Sequence, residues 1–353
     1  MYSHQFNRAT KKARSVADGI NARLRIRWNT RHLSGPGIIL QDDDDVALVC
    51  MLKNGAYYID ELLTHHRALG IRNFLFIDNG SDDRTREMLA GHPYITVVIN
   101  TLPVATHEAL LRSQIARRFI KGGWFLFVDS DELIDMVNAT GRTFRDYARY
   151  CNDNEYDAVV GQCLDLFSDL PLSETLTWDY AQSIQRFDRY SLNAIKDFSY
   201  HDPSVGFSWF LRNNTVSNPQ IHLKFGGIRK ELFGENCALT NHRMVKNAPD
   251  IEIYSHPHCS SNIRCADFTL LLRHYKFAGN FAERERAQVA KKVWQHGEDR
   301  NRIAVVQDSS FRFACKQAYR FRDASQLAEQ NFLTCSKTFY ESFPPVPRSQ
   351  EGS

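Results

Sequence analysis

A seven-residue apolar run, Val46-Ala-Leu-Val-Cys-Met-Leu52, constrains the fold more than any other feature of the chain. A strand with one wet face alternates polar and apolar residues. An unbroken run reads as a strand buried on both faces, as in a parallel sheet covered by helices. The next segments repeat that logic. Ile59, Leu62, Leu63, His66 and Leu69 recur at helical spacing, and Gly70 stands where a helix C-cap glycine would. Ile71–Ile77 reads as a second strand, and Asp82 and Asp83 suit the first turn of a helix through Leu89. Tyr94–Ile99 is a third strand. Thr106–Ile120 is a long helix with Leu111, Ile115 and Phe119 on one stripe, and Gly123–Val128 is a fourth strand. Such alternation implies right-handed crossovers and an α/β fold, a mostly parallel sheet flanked by helices.

The second half is less regular. Residues 151–235 mix short strand-like runs with polar-aromatic loops. Beyond about Arg264 the pattern turns helical. Phe268, Leu271, Leu272, Tyr275 and Phe277 begin it, and charged helical stretches run from Phe281 through Leu333. The expectation is a helical C-terminal extension over 263–340 and a flexible tail over 341–353. At the other end, residues 1–35 carry Arg8, Lys11, Lys12, Arg14, Arg23, Arg25, Arg27 and Arg31 against one acidic residue, Asp18. Val16, Ile20 and Leu24 recur every fourth position. This is either a basic amphipathic segment resting on anionic lipid or a solvated leader. Ser34-Gly-Pro-Gly37 then breaks the chain, and the acidic run Gln41–Asp45 reads as a solvated linker.

A net charge of +3 over 353 residues gives no global basic field, so no nucleic-acid partner is expected. No stretch approaches the roughly 18–20 apolar residues that span a bilayer. Met1–Thr10 lacks the apolar segment of a secretory signal. The eight cysteines form no CxxC pair and read as reduced thiols of a cytoplasmic protein. The sequons at Asn79, Asn138 and Asn213 then read as chance matches.

The strongest chemical signal is Asp129-Ser-Asp-Glu132, directly after the fourth strand. In extended backbone, residues i and i+2 point the same way, so Asp129 and Asp131 can converge on one hard cation. In open α/β sheets ligands bind beyond the carboxyl ends of the strands, where this segment falls. Mg²⁺ and Mn²⁺ take oxygen ligands and are usually held by one or two carboxylates plus substrate phosphates. Asp78-Asn-Gly-Ser-Asp-Asp83 lies at the same edge. There Asp78 can accept from a nucleoside, and Ser81 with its following amides can face an anion. Lys53-Asn54, after the first strand, offers a cation for a diphosphate.

Three segments together resemble the family-two-like glycosyltransferases of GT-A (Rossmann-like) fold: Leu52-Lys-Asn-Gly-Ala-Tyr-Tyr-Ile-Asp-Glu61, Leu69-Gly-Ile-Arg-Asn-Phe-Leu-Phe-Ile-Asp-Asn-Gly-Ser-Asp-Asp83 and Trp124-Phe-Leu-Phe-Val-Asp-Ser-Asp-Glu-Leu133. The branch concerned reads KNE…E(W/L)…H…LG…DNGS(T/D)D…D(V/S)DEF. Phe225-Gly-Gly-Ile-Arg-Lys-Glu-Leu-Phe-Gly234 and Leu271-Leu-Arg-His-Tyr-Lys-Phe277 are similar to later segments of that branch. The chain departs from it at Gly55, where the family has Glu.

The resemblance implies a glycosyltransferase domain over 46–262, with a nucleotide-binding half (46–135) and an acceptor half (136–262). It implies a nucleotide-sugar donor, UDP-linked in the first instance, and a divalent metal, Mn²⁺ or Mg²⁺. The acceptor would be a saccharide or glycolipid in cell-surface polysaccharide or lipopolysaccharide synthesis. The protein would be cytoplasmic, or peripheral at the inner membrane face. Lys53, Asn54, Asp78 and Asn79 fall where the family holds the nucleotide. Asp129 would reach the ribose or the metal, and Asp131 would ligate the metal directly.

Inversion, also implied by the resemblance, needs a carboxylate to deprotonate the acceptor. Glu235 is the candidate, with Asp202, Asp250 and Asp165 as competitors. A third metal ligand is often a downstream histidine. His258 is the choice, with His256 and His274 as alternatives, while His66 reads as packing. Trp178, Tyr180, Phe207, Trp209 and Phe210 cluster in the acceptor half. Most read as core, and Trp209 reads as a sugar-stacking candidate. Two rivals stand beside this reading. A nucleotidylyltransferase would need a Gly-rich phosphate loop after the first strand, which Met51–Tyr57 lacks. A non-catalytic nucleotide- or sugar-binding protein would share the fold and bind without turnover.

Overall fold

The computed structural model describes residues 19–281, 283–284, 286, 302–303, 306 and 310–345. Arg8, Lys11, Lys12, Arg14 and Val16, most of the helical stretch expected between 282 and 309, and the tail from 346 lie outside the described residues. Ten strands form the central sheet. They are β1 (Arg31–Ser34), β2 (Val46–Leu52), β3 (Asn73–Asp78), β4 (Ile95–Ile99), β5 (Trp124–Val128), β6 (Glu132–Asp135), β7 (Ala158–Asp165), β8 (Thr215–Val216), β9 (Thr240–Lys246) and β10 (Arg264–His274). Their spatial order is β1-β4-β3-β2-β5-β9-β7-β10-β8, with β6 paired to β10. All run one way except β1, β6 and β9, so the sheet is mostly parallel.

The unbroken apolar strands divide their side chains between two cores, as a period of two requires. Leu48, Cys50, Leu52, Phe74, Phe76, Leu126 and Val128 face one side. There they pack on α1 (Ile59–Ala68), α2 (Thr85–Ala90) and α4 (Phe144–Asp153) through Leu62, Leu63, Leu89, Tyr147 and Cys151. Ala47, Val49, Met51, Leu75, Ile77, Phe125 and Phe127 face the other side. They meet Leu111, Ile115, Ala116 and Phe119 of α3 (Val104–Phe119). The result is helix, sheet, helix. Gly70 ends α1 at φ +86°, a left-handed turn that a side chain resists.

Register puts the strand ends together. Leu52 pairs with Asp78, and Cys50 with Val128. Lys53, Asn79 and Asp129 therefore emerge on one carboxyl edge. His274 pairs with both Asp165 and Glu132, which brings the ends of β7 and β10 to the same edge.

Two expectations need correction. Phe268–Leu272 is not helical: it lies inside β10, an eleven-residue strand buried nearly throughout between β7 on one side and β6 and β8 on the other. Its apolar run has the same double burial as Val46–Leu52, and a short apolar run does not by itself tell strand from helix. Further on, Tyr319–Arg320 is a short strand, and helices occupy Ala324–Glu329 and Lys337–Ser342. The acidic run is not a free linker. Asp45 pairs with Arg145, and Asp44 with Arg149 at 3.0 Å, fastening the run to α4. The strand-like runs expected in residues 151–235 include β7, which joins the central sheet.

Candidate functional site

The polar loops after β2 and β3 are knitted to each other. Asn54 sits at φ +57°, a left-handed conformation that Asn tolerates better than most residues. Its side chain donates to Asp82 Oδ1 at 2.6 Å and accepts from the Asp82 amide at 2.9 Å. Its own amide donates to Ser81 Oγ at 2.9 Å. Gly55 and Ala56 amides donate to Thr85 Oγ1 and Asp83 Oδ2 at 2.8 and 3.2 Å. Asn79 Nδ2 donates to the carbonyls of Asn100 and Leu102. Asp78 is fully buried. Its Oδ1 caps the Ser81 amide at 2.8 Å, while Oδ2 has only Arg86 at 3.5 Å. Lys53 is exposed at the same edge.

The segment after β5 is organised by charge. Asp129, about a third exposed, is held from two sides. Arg112 of α3 donates to its Oδ1, and Arg243 of β9 donates to its Oδ2 at 3.2 Å. Arg243 also donates to Glu132 Oε1 at 2.6 Å, and Glu132 Oε2 accepts the Asp129 amide at 3.0 Å. Burial works to raise the Asp129 carboxyl, but the two guanidiniums outweigh it and hold it well below the usual range. Glu132 is more deeply buried, and desolvation wins there, pushing its carboxyl up.

Asp131 is in a different situation. Its side chain is 21% exposed, and its ion-pair partner is His274 Nε2 at 3.4 Å, longer than a hydrogen bond. His274 turns its other nitrogen, Nδ1, to Asp165 at 2.6 Å, and Asp165 in turn receives Arg229 Nε at 2.8 Å. Burial would lower the His274 pKa, yet the flanking carboxylates drive it well up, so the ring is a bridging cation. Burial raises Asp131, and His274 and Lys276 bring it down to about 2.

Chemistry of the donor set decides what could sit here. A hard divalent cation wants anionic oxygens free to coordinate. Asp131 supplies them. Asp129 would have to release an arginine first. Among the described residues, the one trio of metal-capable atoms within 4.8 Å of one another is Cys163, Asp165 and His274. Arg229 and the imidazolium already neutralise that trio, and burial raises the Cys163 thiol. It is an ion-pair network.

His258 does not join Asp129 and Asp131 in such a group. Its Nδ1 faces Asn241 Oδ1 at 2.8 Å, and burial lowers its pKa to about 3, so it is a neutral ring near the start of β9. His256 stacks near Phe207. His66 is buried against the Leu62 carbonyl, the packing role expected of it. Glu235 is neither solvated nor free. It is 3% exposed and receives Arg302 on both oxygens at 2.7 Å, which makes it a poor proton acceptor. Asp250 follows β9 in a turn at the amino edge, beside the Ala248 and Ile251 carbonyls held by Arg117. Asp202 is on the surface, capping Ser204 at 2.8 Å. Trp178, Tyr180 and Phe207 are buried, whereas Trp209 is 66% exposed. Arg212 lies 3.7 Å from the Trp209 ring centroid, in an open cavity of about 520 Å³ shared with His201 and Asn214.

Arg112 and Arg243 were not expected. Arg112 carried a signal: a charge beside Leu111 and three residues before Ile115 falls on the buried face of α3. Arg243 carried none, because β9 mixes polar and apolar residues and is buried nearly throughout.

No protein-family model and no curated protein matches the chain. Among solved structures it is similar to S. aureus TarS, with 19% identity and a TM-score of 0.27 over 34% of this chain and 22% of that one. It is also similar to the mannosyltransferase PcManGT from Pyrobaculum calidifontis, solved in complex with GDP-Man and Mn2+. That match has 19% identity and a TM-score of 0.27 over 42% of this chain and 45% of that one. The chain therefore spans less than half of either relative, and overlaps this partial assign no activity.

Proposed function

We propose that the chain is a metal-dependent glycosyltransferase of the GT-A type. It would move a sugar from a nucleotide-sugar donor, UDP-linked in the first instance, to a saccharide or lipid-linked acceptor with inversion. The observation that carries this reading is Asp131: a deprotonated, partly exposed carboxylate at the carboxyl edge of a mostly parallel sheet, faced by His274 on one oxygen and not clamped by arginines as Asp129 is. Asp131 is the residue to hold the cation, with His274 behind it. A bound cation neutralises the charge that builds on a departing nucleoside diphosphate. Asp129, locked by Arg112 and Arg243, presents a carboxylate of fixed orientation to the donor's ribose hydroxyls. Lys53 adds an exposed cation at the same edge. The knitted turns of Asn54, Asp78 and Asn79 shape the wall of the crevice. The acceptor's proton needs a base, and Glu235 would first have to leave Arg302.

The test is release of nucleoside diphosphate from UDP- and GDP-sugars in the presence of Mn²⁺. Wild-type turnover that falls by about three orders of magnitude in Asp131→Asn supports the reading, since such a change removes transition-state charge stabilisation. Absence of turnover with every sugar, alongside retained nucleotide binding, would favour the second reading, a non-catalytic binding protein. The arginines that occupy both oxygens of Asp129 are the observation on its side.

A further inference from the structure

Of the nine large apolar side chains exposed among the described residues, six fall between Ile20 and Leu40. Residues 19–29 are helical, and they are turned the wrong way for a soluble protein. Ile20, Leu24 and Trp28, spaced four apart, form one stripe and are 53%, 47% and 82% exposed. Ile26, on the opposite side, is buried in the same layer as α3. Surface helices normally point their apolar stripe inward. Arg23 and Arg27 precede Leu24 and Trp28 by one residue each and so flank the stripe. Arg25 and Arg31 add charge, and no Asp or Glu occurs from residue 19 to residue 41. Leu33, Ile38 and Leu40 extend the apolar exposure beyond the helix.

This face is anchored rather than loose. Fully buried Asn100 donates to the Ile26 carbonyl at 3.1 Å and to Thr30 Oγ1 at 2.8 Å. Arg118 holds the Arg27 carbonyl at 3.0 Å. The Asn100 carbonyl in turn accepts from Asn79 at 2.7 Å, and Arg31 pairs with Ile99 at the end of β4. The face therefore adjoins the carboxyl edge that carries Asp78 and Asp129.

We propose that residues 19–40 form a docking face for an anionic lipid surface, with Leu24 and Trp28 entering the interface and Arg23 and Arg27 meeting the headgroups. An outward apolar stripe with an indole, rimmed by arginines, matches both halves of such an interface. Nucleic acid would not use the stripe. A symmetric second copy would bring arginine against arginine. The inference stands apart from the glycosyltransferase reading.

The experiment is co-sedimentation of the full chain with phosphatidylcholine vesicles, with and without about one-third phosphatidylglycerol, a lipid that supplies the negative surface potential. Neither nucleotide nor metal is added, so the outcome is independent of catalysis. The expected result is binding to the anionic vesicles and little to the neutral ones. Leu24→Ser/Trp28→Ser should weaken it by about tenfold or more, and Arg23→Gln/Arg27→Gln by roughly fivefold per arginine. All four side chains are exposed, so the melting temperature should not move. Failure of the wild-type chain to bind anionic vesicles overturns the proposal. So does binding by the serine variant equal to wild type. A wild-type dimer that the serine variant dissolves would assign the face to a second copy instead.

Discussion

The loops after β2 and β3 carry Asn54, Asn79, Ser81, Asp82 and Asp83, while the loop after β5 carries Asp129, Ser130 and Asp131. Both regions sit on the carboxyl edge, and both read as polar turns. In the first, the side chains bond to neighbouring backbone and to each other, as in Asn54 with Asp82 and Asn79 with Asn100. In the second, the carboxylates meet cations from distant elements: Arg112, Arg243 and His274. Loop-to-loop hydrogen bonding builds a wall. Charge brought in from β10 leaves Asp131 deprotonated and partly exposed. Residues of one chemical type thus serve shape in one loop and binding in the other, and what separates them is the partner each finds.

Variants of graded effect separate the two loops. Arg243→Ala should cost most, because it leaves buried Glu132 and half of Asp129 uncompensated. Loss of one partner from a buried pair costs about 3–5 kcal/mol, measurable by urea unfolding. Retention of full stability would mean that the network does not support the loop after β5. Asn54→Ala should cost about 1–2 kcal/mol through two lost side-chain bonds and a left-handed backbone that alanine resists. Asn54→Gly keeps the backbone and loses only the bonds, so it should lie between alanine and wild type. Asp131→Asn should cost about 1–2 kcal/mol, because the buried His274 imidazolium then loses one of its two carboxylates. Lys53→Ala should fall within about 0.5 kcal/mol of wild type, as exposed substitutions do, while weakening diphosphate binding.

Much of the scaffold was legible in the sequence. Val46–Leu52, Ile71–Ile77, Tyr94–Ile99 and Gly123–Val128 announce doubly buried strands, and the intervening helices end within two residues of their expected places. β10 is ambiguous in the sequence because Phe268–Leu272 is apolar at every other residue and also at i+3 and i+4, a pattern that both periods accept. The Asp129–Asp131 pair was visible because it directly follows a strand. The partners were not. Arg243 lies 114 residues from Asp129, and the His274 bridge between Asp131 and Asp165 depends on the register of β10 against β7. Glu235 directly follows the Phe225–Gly234 segment, and no local pattern reports that Arg302 closes over it.

Calorimetric titration decides whether Asp131, rather than Asp129, is the carboxylate that holds a cation. UDP and GDP are titrated into the chain with and without Mn²⁺, in wild type, Asp131→Asn and Asp129→Asn. The account predicts metal-dependent nucleotide binding in wild type. Asp131→Asn should lose the metal dependence, with affinity falling tenfold or more, about 1.4 kcal/mol. Asp129→Asn should bind more weakly but still respond to Mn²⁺. Metal-dependent binding that survives in Asp131→Asn and vanishes in Asp129→Asn would contradict it.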